Sequence, residues 1–291
     1  MKDARISIIT WDGGFRESFH TVDAVSKLNY PSDKFDFTWV EYYEKIDLKL
    51  REKLSQSANF RYICLNGNGQ WHAGKCINAG IRATNGNIIV IIDGDVCLDA
   101  GFLHQVVDLH SRHIESAVYG RRWDEPGPNE RNSTAVNIAA LKMVCRVHSY
   151  INYGGCITIP RETLLDVGLY EEHHIFGGPH LLGGELASRL RNRGVPIVWP
   201  PSLRVYHPWH ENTLTPPVSV QERMQQWIID RRTENLDFRT SSEQVDMYLA
   251  SFAMPTADPE TNFLHRSVGL IKRMLKGWLR NCQRHFLDLV Q

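Results

Sequence analysis

The sequence has no C-x-x-C pair, no excess of either charge and no long apolar run. Each absence removes a class of protein. Its six cysteines stand singly, at Cys64, Cys76, Cys97, Cys145, Cys156 and Cys282. With no paired spacing, and with Cys64, Cys97 and Cys156 set among apolar residues, they read as reduced, buried thiols of a cytosolic protein. A disulfide framework or a zinc site would need pairs. Basic and acidic residues balance at 33 each, so overall charge gives no case for a nucleic-acid partner. No apolar stretch reaches the ~20 residues a membrane-spanning helix needs. Met1-Lys2-Asp3-Ala4-Arg5 leads straight into a strand pattern, which reads as no signal peptide. The first turn carries Gly13-Gly14 but no G-x-G-x-x-G, which removes the dinucleotide fingerprint.

What the chain does have is a buried strand that stops at two carboxylates. Asn87-Ile88-Ile89-Val90-Ile91-Ile92 runs into Asp93-Gly94-Asp95. A continuous β-branched run suits a strand covered on both faces, as in a parallel sheet. Asp93 and Asp95 then fall at its carboxyl end, where open α/β sheets bind ligands. Two carboxylates that close repel unless a cation joins them, and oxygen ligands of this kind suit Mg²⁺ or Mn²⁺.

Three strand–helix pairs precede that run. Residues 6–10 and 35–43 read as strands around a helix at 15–28, whose apolar residues recur at a three-to-four spacing. Residues 45–57 read as a helix, 60–65 as a strand and 72–84 as a helix carrying Lys75 and Asn78. This alternation is half of a doubly wound sheet, with the strand ends collected on one rim. Further on, 102–115 and 138–149 read as helices, 117–120 as a strand and the polar, Pro-containing stretch 121–137 as a mobile loop that is either a lid or a surface insertion.

The run Gly74-Lys75-Cys76-Ile77-Asn78-Ala79-Gly80-Ile81, followed by Ala83 and by Gly86 through Asp95, resembles the family 2 glycosyltransferases of the GT-A fold. Their pattern is a basic residue, Asn-x-Gly-Ile, Ala-x-Gly-(Asp/Asn), a β run and Asp-x-Asp. The stretch from Gly154 to Glu172, with Pro160-Arg161 and Val167-Gly168-Leu169-Tyr170-Glu171-Glu172, is similar to the same family. Two departures stand out. Glu41-Tyr42-Tyr43 replaces an acidic pair, and no Glu-Asp pair opens the helix before Arg189-Leu190 and Gly194. Anchoring on Arg189 and Gly194 puts Leu182-Gly183 at that pair; anchoring on Gly183-Gly184 makes Glu185 its carboxylate.

The resemblance implies an α/β, Rossmann-like, mostly parallel sheet with helices on both faces. It would occupy 1–212, split into a nucleotide-sugar half of about 1–98 and an acceptor half of about 99–212, with a mostly helical extension over 213–291. It implies an inverting, metal-dependent transfer of a sugar from a nucleotide diphosphate sugar, a UDP-sugar foremost, to a glycan or lipid-linked hydroxyl. A degenerate module that binds donor or glycan without turnover is the alternative. Asp95, His207 and Asp93 are the expected ligands of Mn²⁺ or Mg²⁺, with His210 second to His207. Thr10, Asp12, Arg16, Glu41, Lys75, Asp93 and Asp95 are expected to line the nucleotide site. Glu185 is the candidate base and His180 the fallback. Residues 268–290 pattern as a basic amphipathic helix, open to a membrane surface, to the catalytic domain or to a second copy in a homo-oligomer. The expected location is the cytoplasm, with peripheral contact at the inner face of the membrane.

Overall fold

A computed structural model describes residues 4–14, 16, 18–43, 47–127, 137–177, 181–210 and 220–234. The β-branched run forms strand β4 in a sheet whose first four strands alternate with helices: β1 (Ile6–Asp12), α1 (His20–Ser26), β2 (Phe35–Glu41), α2 (Leu48–Ser55), β3 (Phe60–Cys64), α3 (Ala73–Arg82) and β4 (Ile88–Ile92). After β4 come α4 (Phe102–Arg112), β5 (Ala117–Tyr119), β6 (Arg121–Asp124), α5 (Ile138–Val144), β7 (Arg146–Val147), β8 (Cys156–Pro160) and α6 (Arg161–Asp166). The described residues end with a 3₁₀ turn (His174–Phe176), α7 (Leu182–Asn192), β9 (Ile197–Val198), β10 (Arg204–His207) and α8 (Val220–Glu234).

The main sheet has seven strands in the order β3-β2-β1-β4-β8-β5-β9. β1 pairs parallel with β2 and β4, and β8 runs antiparallel to β4 and β5. All five residues of β4 are buried, which explains its unbroken apolar run. Each buried isoleucine there contributes roughly 1.5–3 kcal/mol. The order reverses between β1 and β4, so the carboxyl ends of β1, β2 and β4 open one crevice. Register sets Asp12 beside Glu41 at the ends of β1 and β2.

The residues that carry the family pattern have structural work. On α3, a Cβ at Gly80 would stand 2.6 Å from Ile9 Cγ2, so only glycine lets the helix lie this close to β1. Asn78 ties α3 to the distant 170–172 segment: Nδ2 donates to Tyr170 O and Glu172 Oε1, both at 2.8 Å, and Oδ1 accepts from Tyr170 N at 3.0 Å.

A second sheet of three strands, β10-β6-β7, abuts the crevice. It corrects one expectation. Arg121–Asp124 is strand β6, not the start of a loop; it pairs parallel with β10 and antiparallel with β7. Charged Arg-Arg-Trp-Asp carries no apolar alternation, but pairing on both sides satisfies its backbone, and Arg121 also donates to Trp199 O. Residues 128–136 of that stretch lie outside the described residues. The expected helix over 15–28 is narrower, His20–Ser26, and the one over 138–149 ends at Val144. Within the expected extension after 212, the described residues form α8, which packs on α7 and the 3₁₀ turn. The amphipathic reading of 268–290 falls outside the described residues. Among the described residues no helix is long and apolar enough to cross a membrane.

Candidate active site

Three parts of the chain meet where β4 ends. Asp93 and Asp95 follow β4 directly. His207 is the last residue of β10, and a short turn brings His210 back beside it, with the two Nε2 atoms 3.1 Å apart. His207 Nε2 is 3.7 Å from Asp95 Oδ1, and His210 Nε2 is 3.6 Å from Asp95 Oδ2. Arg16, after the β1 turn, ion-pairs with Asp95 and reaches back to Asp12, its Nε 3.6 Å from Asp12 Oδ1.

The donor set fits a divalent cation. One ligand atom each from Asp95, His207 and His210 lie within 4.8 Å of one another. Asp95 Oδ1 is buried and makes no hydrogen bond among the described residues. His207 Nδ1 faces Asp124 Oδ1 at 3.6 Å. A proton on Nδ1, held toward Asp124, leaves the Nε2 lone pair aimed at Asp95 and His210, as a metal ligand requires. Parallel pairing of His207 with Asp124 delivers both side chains together. Asp124 is held in turn by Arg122 Nε at 2.8 Å and His148 Nδ1 at 2.7 Å.

The two aspartates divide the charge unequally. Burial alone would raise Asp95, but the Arg16 guanidinium and the two imidazoles outweigh it and hold the carboxyl well below its usual range. Asp93 moves the other way, pushed up by burial and by Asp95. Behind them, burial and the facing Asp12 push Glu41 up to about 7.

The structure therefore brings Asp12, Arg16, Glu41, Asp93, Asp95 and His207 to one rim. It sets other expected residues elsewhere. Thr10 is fully buried inside β1, its hydroxyl without a hydrogen bond among the described residues. Lys75 is exposed on α3 and disfavours the charged form of nearby His72. No hydrogen bond or ion pair ties Lys75 to the carboxylates among the described residues. His180 lies outside the described residues.

Glu185 is fully buried, and its two oxygens each accept from Arg189, from Nε and Nη2, at 2.7 Å. Arg189 also donates to Val167 O, and burial pushes its guanidinium down to about 10. A carboxylate sealed this way is the partner of Arg189 and does not face an acceptor as a base. A Cβ at Gly183 would sit 2.2 Å from Tyr153 O, so no side chain fits there.

Two site residues carried no signal in the sequence. His20 Nε2 is 2.8 Å from the Asp95 carbonyl and its Nδ1 is 2.8 Å from Ser18 Oγ. The carbonyl can only accept, so Nε2 carries the proton and Nδ1 accepts from the hydroxyl, a neutral ring that burial favours. With Thr21 Oγ1 donating to Val96 O at 2.7 Å, α1 clamps the backbone of the Asp-Gly-Asp turn. Asp124 is the other, and only strand pairing reveals it.

The sheet is similar to that of known sugar-transferring enzymes. Residues 47–168 match the model of Glycosyl transferase family 2. Staphylococcus aureus TarS 1–349, solved with UDP-GlcNAc, superposes with a TM-score of 0.61 at 15% identity, over 85% of this chain and 71% of that one. GalNAc-T7, solved with UDP, GalNAc and Mn²⁺, gives 0.60 at 14% identity over 78% of this chain and 48% of that one. The mannosyltransferase PcManGT from Pyrobaculum calidifontis, with GDP-Man and Mn²⁺, gives 0.52 at 13% identity over 92% and 80%. No curated protein matches in sequence. The chain has the GT-A fold of these glycosyltransferases, and its central segment matches the family 2 model.

Proposed function

We propose that this chain transfers a sugar from a nucleotide diphosphate sugar, a UDP-sugar foremost, to a glycan or lipid-linked hydroxyl, with inversion and with a bound Mn²⁺ or Mg²⁺. The observation that carries the reading is the convergence of Asp95, His207 and His210 at the carboxyl end of β4. Those three would hold the cation, with Asp93 beside them and Asp124 orienting His207. When bound, the cation supplies charge to the departing diphosphate. Asp12 and Glu41 offer acceptors to the nucleoside at the ends of β1 and β2, and Arg16 offers a cation to the phosphates. Lys75, exposed on α3, is kept as an outlying member of the nucleotide site. With Glu185 sealed by Arg189, His180 becomes the candidate base, two residues ahead of α7. A cytoplasmic location with peripheral membrane contact through 268–290 belongs to the same reading, as does a domain boundary near 212.

A second reading, a module that binds donor without turnover, draws support from the same helix. No carboxylate free of a partner opens α7, whose first residues are Leu182-Gly183-Gly184. A transfer assay with a panel of UDP- and GDP-sugars, in Mn²⁺ and in EDTA, separates the two. Sugar released or transferred only with metal supports the enzyme. Donor binding of normal strength, with neither hydrolysis nor transfer to any acceptor tried, supports the binding module.

A further inference from the structure

Arg16 lies across the whole acidic rim. Its side chain is only 9% exposed, yet it touches carboxylates from two strand ends: it ion-pairs with Asp95 and approaches Asp12, while its guanidinium carbon stands 5.5 Å over the Trp11 ring. Burial alone would lower its pKa, but Asp95, Asp12 and Asp93 together raise it, so the charge is fixed. The glycine of the Asp-Gly-Asp turn is what makes room. A Cβ at Gly94 would stand 2.6 Å from Arg16 Nε and 3.1 Å from its Cδ. Gly94 has no positive φ. A side chain at this position would meet the Arg16 guanidinium and displace it.

The ion pair is made to Asp95, the carboxylate that also faces both histidines, and the guanidinium occupies the Oδ2 edge that His210 approaches at 3.6 Å. A divalent ion drawn to Asp95, His207 and His210 must share or take that edge. We infer that Arg16 is an internal counter-cation that guards Asp95 until a nucleotide diphosphate arrives, then leaves for the phosphates and cedes the carboxylate to the metal. The inference rests on the metal-dependent reading above and adds an order of events to it. Without nucleotide, Arg16 and the metal compete for one carboxylate, and two cations crowd the site. A diphosphate gives Arg16 a second anion, so metal and nucleotide each strengthen the other's binding by the same factor. The readout is metal affinity in the absence of chemistry.

The test is a Mn²⁺ titration of the full chain, followed by the electron paramagnetic resonance of free Mn²⁺, with and without UDP. Wild type, Arg16→Gln and Gly94→Ala are compared, each first shown to melt cooperatively. Wild type is expected to bind Mn²⁺ weakly alone and more tightly with UDP. Arg16→Gln is expected to bind Mn²⁺ alone roughly tenfold more tightly and to lose most of the gain from UDP. Gly94→Ala keeps the arginine but pushes it off the turn. It should move Mn²⁺ affinity in the same direction, and it serves if Arg16→Gln does not fold. A merely structural role would lower metal affinity in both variants, and that result, or no change, overturns the inference while leaving the metal site standing. Mn²⁺ bound by none of the proteins, with or without UDP, removes the metal-dependent reading and the inference with it.

Discussion

Glu41 is buried at the end of β2 with Asp12 facing it, and its carboxyl is pushed up to about 7 by burial first and by Asp12 second. In the unfolded chain the same group titrates near the ordinary glutamate value. Between those two points the folded protein binds the extra proton, so this group's stabilisation is present at low pH and is lost as pH rises through about 7. The amount at stake is about 3 kcal/mol. Glu41→Gln cannot titrate. The stability gap between wild type and Glu41→Gln, measured by denaturant melts from pH 4.5 to 8, should therefore shift against wild type as pH rises. A pH-independent gap would contradict the burial of this acid pair. Glu185 is tested by separating stability from turnover. Glu185→Gln breaks a buried bidentate pair and should cost about 3 kcal/mol. Activity per folded molecule should stay near wild type. Loss of turnover with stability intact would return Glu185 to the role of base.

At the scale of elements, the sheet half up to β4 was legible because its signals are local. The β-branched run marked β4, the apolar spacing marked α3, and the carboxylates fell where a parallel strand must end. Gly80 and Asn78 were visible as a pattern, but their reasons are long-range: one admits Ile9, the other grips Tyr170. Gly80→Ala gains about 1 kcal/mol of helix propensity, yet forces a methyl onto a buried branched side chain. A net loss of about 1–2 kcal/mol is expected, seen as a lower melting temperature; an unchanged or higher one would contradict the close approach of α3 to β1. The site was less legible than the sheet. β6 is polar and gave no periodicity, so Asp124 and its partnership with His207 were invisible. Glu185 was misleading because a carboxylate in the first turn of a helix looks the same in sequence whether it faces solvent or an arginine one turn on.

For the whole molecule, the central proposal is that the rim formed by β1, β2, β4 and β10 is a single site for a nucleotide diphosphate and a divalent ion. Each of its parts comes from a separate stretch of chain. Ligands that bind only the folded state raise its stability by about 2.7 kcal/mol at a hundredfold excess over Kd, which moves the melting temperature of a chain this size by on the order of 5 °C. The most direct measurement is a thermal-shift panel of UDP, GDP, dTDP and CMP, each with Mn²⁺ and with EDTA, on wild type and Asp95→Ala. The expected result is one diphosphate, UDP foremost, that stabilises wild type with Mn²⁺, does so far less in EDTA, and leaves Asp95→Ala unmoved. No shift with any nucleotide, or an equal shift in Asp95→Ala, would contradict a nucleotide and metal site at the end of β4.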